Sequence, residues 1–199
     1  MNFIQILIVI FGVIAVATVS ISYASFFEWF LHKYVMHGKP FGFKYAYKGH
    51  HETHHVIFGA GKTYELKNHA ENKRQLNKKT IPMAWWNWIV LLIFAVSPVI
   101  PIWLTVFSMW WPVIITATVF LLYYITYEYF HWCMHDPTGR WFEKTFWFIW
   151  INRHHNLHHK NPKTNLNVVL PFADWLLGTL VTEGKKVNQN TKQASLSND

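Results

Sequence analysis

A chain of 199 residues that is 52% hydrophobic and only 14% charged has too few polar side chains to coat a soluble domain of its size. Its net charge of +8 would suit a nucleic-acid partner, but the placement of that charge argues against one. All eighteen Lys and Arg fall between Lys33 and Lys79 or between Arg140 and Lys192, beside long apolar runs, as in the cytoplasmic loops of membrane proteins.

From Met1 to Phe27 the only strongly polar residues are Asn2 and Gln5. As a helix this stretch is roughly 39 Å long, enough to cross a bilayer core. "SYAS" offers a small-x-small cleavage site, but MNFIQ carries no basic residue and the apolar run exceeds a signal core, so a retained span is predicted. The next apolar block, Met83 to Tyr127, has the length of two spans. A turn at Pro98 leaves only about 21 Å before it, so the spacing predicts a turn near Met109, with Pro98 and Pro101 kinking the first arm. Trp85, Trp86 and Trp88 mark one membrane interface and Trp103, Trp110 and Trp111 the other. "WFEKTFWFIWI" (141–151) is too short to span and reads as an aromatic-rich helix in the interface or packed on the spans. Residues 185–199 lose hydrophobicity altogether and read as a disordered tail.

The expectation is an all-α integral membrane protein with about three transmembrane helices, a single domain over 1–184 and a polar tail. Three spans place both basic blocks on one side. The positive-inside rule makes that side cytoplasmic, with the C-terminus there and the N-terminus on the opposite face. Nothing in the sequence indicates an oligomeric state. Cys133 is the only cysteine, so an internal disulfide and any Cys-rich zinc module are ruled out.

Twelve of the thirteen histidines lie in four clusters, all on the cytoplasmic side; His69 stands alone. "HKYVMH" holds His32 and His37; "HETHH" holds His51, His54 and His55, with His50 adjoining. "HWCMH" holds His131 and His135, and "HHNLHH" holds His155, His158 and His159, with His154 adjoining. Residues at i, i+3 and i+4 share a helix face, so within three of the clusters imidazoles can converge. The five-residue step from His32 to His37 rotates them apart on an α-helix, so they serve two neighbouring ions or the helix kinks between them. Solvated interfacial histidines explain any one cluster; four clusters on one side point to a shared metal site. Ten or so imidazoles are too many for one zinc, structural or catalytic, and suit two ions of higher coordination, with iron favoured and zinc still open. Glu28 precedes His32 by four residues and Glu128 precedes His131 by three, so each carboxylate can face its histidine and accept the second ring N–H.

H32KYVMH37, H51ETHH55, H131WCMH135 and H155NLHH159 resemble the histidine boxes of the fatty acid hydroxylase superfamily of membrane di-iron enzymes, which also contains sterol desaturases and carotene hydroxylases. The resemblance runs from about Glu28 to Thr179 and includes the closing "LPFADWLLGT", with Ala173 where an aromatic residue is common. It implies a helical cytoplasmic cap holding two iron ions on His32, His37, His51, His54, His55, His131, His135, His155, His158 and His159. His50 and His154 remain register alternatives. It also implies an O2-dependent monooxygenase acting on a lipid from the bilayer, with electrons from a separate electron-transfer protein and reductase. A fatty acyl chain is the favoured substrate, carotenoid hydroxylation or lipid and sterol desaturation the alternatives. A non-catalytic metal-binding membrane protein is the reading from another class; the absence of acidic or histidine residues between Met83 and Tyr127 weighs against an ion path there.

Overall fold

A computed structural model describes residues 2–42, 44–58 and 86–182, and no strand occurs among them. His69, Trp85 and the tail at 185–199 lie outside the described residues. Three helices are long and apolar enough to cross a membrane: Phe3–Met36, Asn87–Phe107 and Trp111–His135.

The first begins as α1 (Phe3–Phe30) behind a reciprocal cap, in which Asn2 Oδ1 accepts from the Gln5 N–H and Gln5 Oε1 from the Asn2 N–H, both at 2.9 Å. Its N-terminal half leaves Phe3, Ile4, Leu7, Ile8, Phe11 and Ile14 exposed, as a lipid-facing surface would. The chain then runs without a break into a π-helical turn, Leu31–Met36.

The second span is α2 (Asn87–Val96) followed by α3 (Ile100–Phe107). They are joined by a 3-10 turn at Ser97–Val99, where Pro98 and Pro101 remove N–H donors. The hairpin turn falls where span length placed it: α3 ends on Ser108 in the left-handed region (φ 54°), and α4 (Trp111–His135) starts with Pro112 in its first turn.

α1 and α2 both pack on α4. Ala24, Ala95 and Phe120 are buried where they meet, with Tyr23, Phe27, Leu92 and Tyr123 around them. Small hydroxyls join the spans: Ser20 and Thr116 Oγ atoms are 2.9 Å apart, and Trp103 Nε1 donates to Thr116 Oγ1 at 3.0 Å.

The 141–151 run divides in two. Trp141–Lys144 is a 3-10 turn, and Thr145 then caps α5 (Phe146–Lys160), its hydroxyl accepting from the Phe148 N–H at 3.3 Å. Phe148 and Ile151 pack with Tyr127, Cys133 and Met134, while Trp141 and Phe146 face outward. A strap, residues 164–168, leads from α5 toward the short α6 (Phe172–Leu176), which packs on α1.

Candidate metal centre

The histidines gather into two groups of five. Site A is His32, His37, His50, His55 and His158; site B is His54, His131, His135, His155 and His159. Each group places one ring nitrogen per residue within 4.8 Å of all the others.

In site A both pairs straddle a π-helical turn. The His37 N–H donates to the His32 carbonyl at 3.0 Å, and the His55 N–H to the His50 carbonyl across Lys48–His54. A π turn closes i to i+5, so residues five apart stack on one face. The step that would part His32 and His37 on an α-helix therefore brings them to one site.

Site B uses α-helical i, i+4 pairs instead, His131/His135 on α4 and His155/His159 on α5. Each site then borrows one residue from a segment that mainly serves the other. His54 leaves the π segment for site B, and His158 leaves α5 for site A.

The Nε2 atoms in site A form a chain: His32 to His50 at 2.9 Å, His50 to His55 at 3.2 Å, His55 to His158 at 3.1 Å and His158 to His37 at 3.1 Å. In site B they close a ring through His54, His131, His135, His155 and His159, with edges of 3.0 to 3.2 Å.

Hydrogen bonds do not account for these approaches. A neutral imidazole nitrogen carries one hydrogen or one lone pair, so five such nitrogens form at most two bonds in pairs. A cation accepted by all five lone pairs satisfies every one of them. Donors about 2.1 Å from a common centre and at right angles lie about 3.0 Å apart, the separation seen here.

The protonation states suit this use. Burial, followed by neighbouring imidazoles, pulls His37 down to about 3 and His55 to about 4. The same causes hold His50, His54, His155, His158 and His159 well below the ordinary histidine range. These rings are neutral at physiological pH and present lone pairs.

Nine of the ten residues expected from the boxes converge; His51 does not. It lies outside both groups, its Nδ1 2.9 Å from the outer nitrogen, Nδ1, of His37, and His50 stands in the first group in its place. The π turn causes this correction, because it stacks His55 over His50 rather than over His51. The clue in the sequence was the five-residue step itself, which occurs at 50/55 as it does at 32/37. His154, the other register alternative, stays out of both groups, and its Nε2 lies 3.0 Å from Asp174 Oδ2.

Glu28 is also reassigned. It accepts from Tyr123 Oη at 2.7 Å, Asn167 Nδ2 at 2.9 Å and the Val168 N–H at 2.6 Å, while the outer nitrogen of His32 meets the Leu166 carbonyl. The strap brings buried donors that need an acceptor, and Glu28 supplies it. Glu128 is hydrogen-bonded by the hydroxyl of Tyr124 one turn before it. Glu52 pairs with Lys39 at 3.9 Å on the surface.

An apolar pocket of about 650 Å³, including its open mouth, lies among α1, α2 and α4. Ala24, Phe27, Leu31, Leu91, Phe120 and Tyr127 line it, and His32 of site A forms part of its wall.

No family model, curated protein or solved structure matches the chain. The likeness to a known superfamily therefore rests on the histidine boxes themselves, and the functional reading rests on the geometry of the centre and its pocket.

Proposed function

We propose that this chain is a membrane-embedded di-iron oxygenase that hydroxylates the hydrocarbon part of a lipid, a fatty acyl chain being the favoured substrate. The observation that carries the reading is a pair of five-histidine groups, one of which, through His32, forms part of the wall of an apolar pocket. The donor set fits the metal: neutral imidazole suits iron, and five donors per site are more than a tetrahedral zinc takes. When bound, iron would supply the O2 chemistry that an unactivated C–H bond requires and that side-chain acids, bases and nucleophiles lack.

The protein's own residues do the rest. The ten site A and site B histidines hold the donor positions. Backbone carbonyls of Thr164 and Leu166 accept at the Nδ1 atoms of His158 and His32, which fixes the tautomer and turns each Nε2 inward. The pocket takes up hydrocarbon, sheds its water and presents it beside His32. Of the oxygen consumed, one atom ends in the alcohol and the other in water, with electrons from an external carrier. The histidine-bearing ends of α1 and α4 lie together, and the basic blocks adjoining them in the sequence support a cytoplasmic position for that end by the positive-inside rule.

Metal analysis of the purified chain together with lipid mass spectrometry of expressing cells tests this. About two irons per chain and a lipid heavier by one oxygen are expected. A lipid lighter by two hydrogens would indicate desaturation instead. Bound zinc with no change in any lipid class would favour a non-catalytic metal protein.

A further inference from the structure

The two sites differ in what stands behind their ligands. At site A, His32 Nδ1 meets the Leu166 carbonyl and His158 Nδ1 lies 3.0 Å from the Thr164 carbonyl, both on the strap. At site B, the Nδ1 atoms of His54 and His155 are buried and meet no hydrogen-bond partner among the described residues.

Asp174 clamps the strap. This fully buried carboxylate accepts from the Leu166 N–H at 2.9 Å and the Asn167 N–H at 2.8 Å, and from Thr179 Oγ1 at 2.6 Å, with His154 Nε2 at 3.0 Å. Asn167 answers by accepting from the Asp174 N–H at 3.1 Å. Asn165, in the left-handed region at φ 56°, ties the start of the strap to the His154 and Val181 carbonyls and to the Val181 N–H.

We propose that Asp174 is a positioning residue for site A alone: by clamping the strap it holds the Leu166 and Thr164 carbonyls against His32 and His158, so the "LPFADWLLGT" segment sets how tightly one of the two ions is held. The inference rests on the metal-centre reading above. An acceptor behind a metal-bound imidazole orients the ring and raises its basicity, and its loss typically costs 10- to 100-fold in metal affinity. Asp174 touches no site B histidine and no carbonyl serving one; its one link in that direction is His154, the neighbour of His155 on α5, and the two-background design below separates that indirect link from the direct one to site A.

The test is a Co2+ titration of metal-stripped, full-length protein in detergent, followed by calorimetry and by visible absorption of bound cobalt. The unsubstituted chain is expected to bind two Co2+; binding none would sink the metal-centre reading rather than this one. Asp174→Ala is expected to weaken one Co2+ by about 10- to 100-fold and leave the other unchanged.

Two backgrounds assign the weakened site. With His135→Ala dismantling site B, Asp174→Ala should weaken the remaining ion. With His37→Ala dismantling site A, it should have no effect on what remains. Equal weakening of both ions, or of neither, overturns the proposal. If Asp174→Ala loses its helical circular dichroism, Asn165→Gly replaces it in the same design, because glycine accepts the positive φ while removing the side-chain ties.

Discussion

The backbone N–H of His37 donates to the carbonyl of His32, five residues back, and that bond turns two imidazoles that an α-helix would send apart toward the same site. A helix with one residue too many per turn persists only where the surroundings hold it, and here the rings on its inner face meet those of a second such turn.

Gly38 closes the first π turn so tightly that a Cβ there would meet the backbone carbonyl of Tyr34. Gly38→Ala is therefore expected to shift the turn and cost about 1–3 kcal/mol, as overpacking does. Thermal unfolding in detergent measures the loss, and metal analysis should show it concentrated at site A. An unchanged midpoint with two metals retained would contradict the tight approach.

The division of ligands makes stoichiometry diagnostic. His37→Ala and His135→Ala should each lower bound metal from two ions per chain toward one, and the double variant toward none. His51→Ala, which removes only the partner of the His37 outer nitrogen, should weaken binding by about 10- to 100-fold without abolishing it. Complete loss of an ion in His51→Ala would restore His51 as a ligand.

Acid should destabilise the metal-free protein over a defined window. In the folded chain His37 and His55 have their affinity for protons depressed to about 3 and 4, whereas in the unfolded chain they return to about 6.5. Between those limits the unfolded state binds more protons, so stability rises with pH. It should be undiminished above about 6.5, fall as the pH drops through the window, and level off below the folded values. Unfolding midpoints of stripped protein between pH 8 and pH 4 check the sign; a flat profile would contradict neutral, buried imidazoles.

Filling the pocket separates substrate access from metal binding. Leu91→Trp adds an indole to the wall formed with Phe27, Leu31 and Phe120. Product formation by lipid mass spectrometry should fall at least tenfold while two metals remain bound. Full activity in this variant would place the substrate elsewhere.

Much of this arrangement was legible before any coordinates. Apolar run length located the three long apolar helices, and the length argument chose a turn near Met109 over one at Pro98, as the helix end at Ser108 bears out. Clusters at i, i+4 spacing identified the site B pairs, because an α-helix converts that spacing directly into proximity. What escaped was whatever depends on a departure from the α-helix or on long-range contact. "HHETHH" contains two equally good i, i+4 pairs, and only the π register decides that His50 rather than His51 belongs with His55. Glu28 looked like the partner of His32 from four residues away. Its actual donors on the strap lie some 140 positions further along the chain, at a distance no local pattern encodes.

The exchange of His54 and His158 between the two groups has a consequence for biogenesis. Site A needs residue 158 and site B needs residue 159, both on the last of the ligand-bearing helices. As the chain emerges from the ribosome, neither shell can close until α5 has been made and has docked against the spans. Earlier in synthesis, His32, His37, His50 and His55 stand as four donors without a fifth, the number that satisfies a tetrahedral zinc. On the metal-centre reading proposed above, neither five-donor group could be filled before α5 is in place.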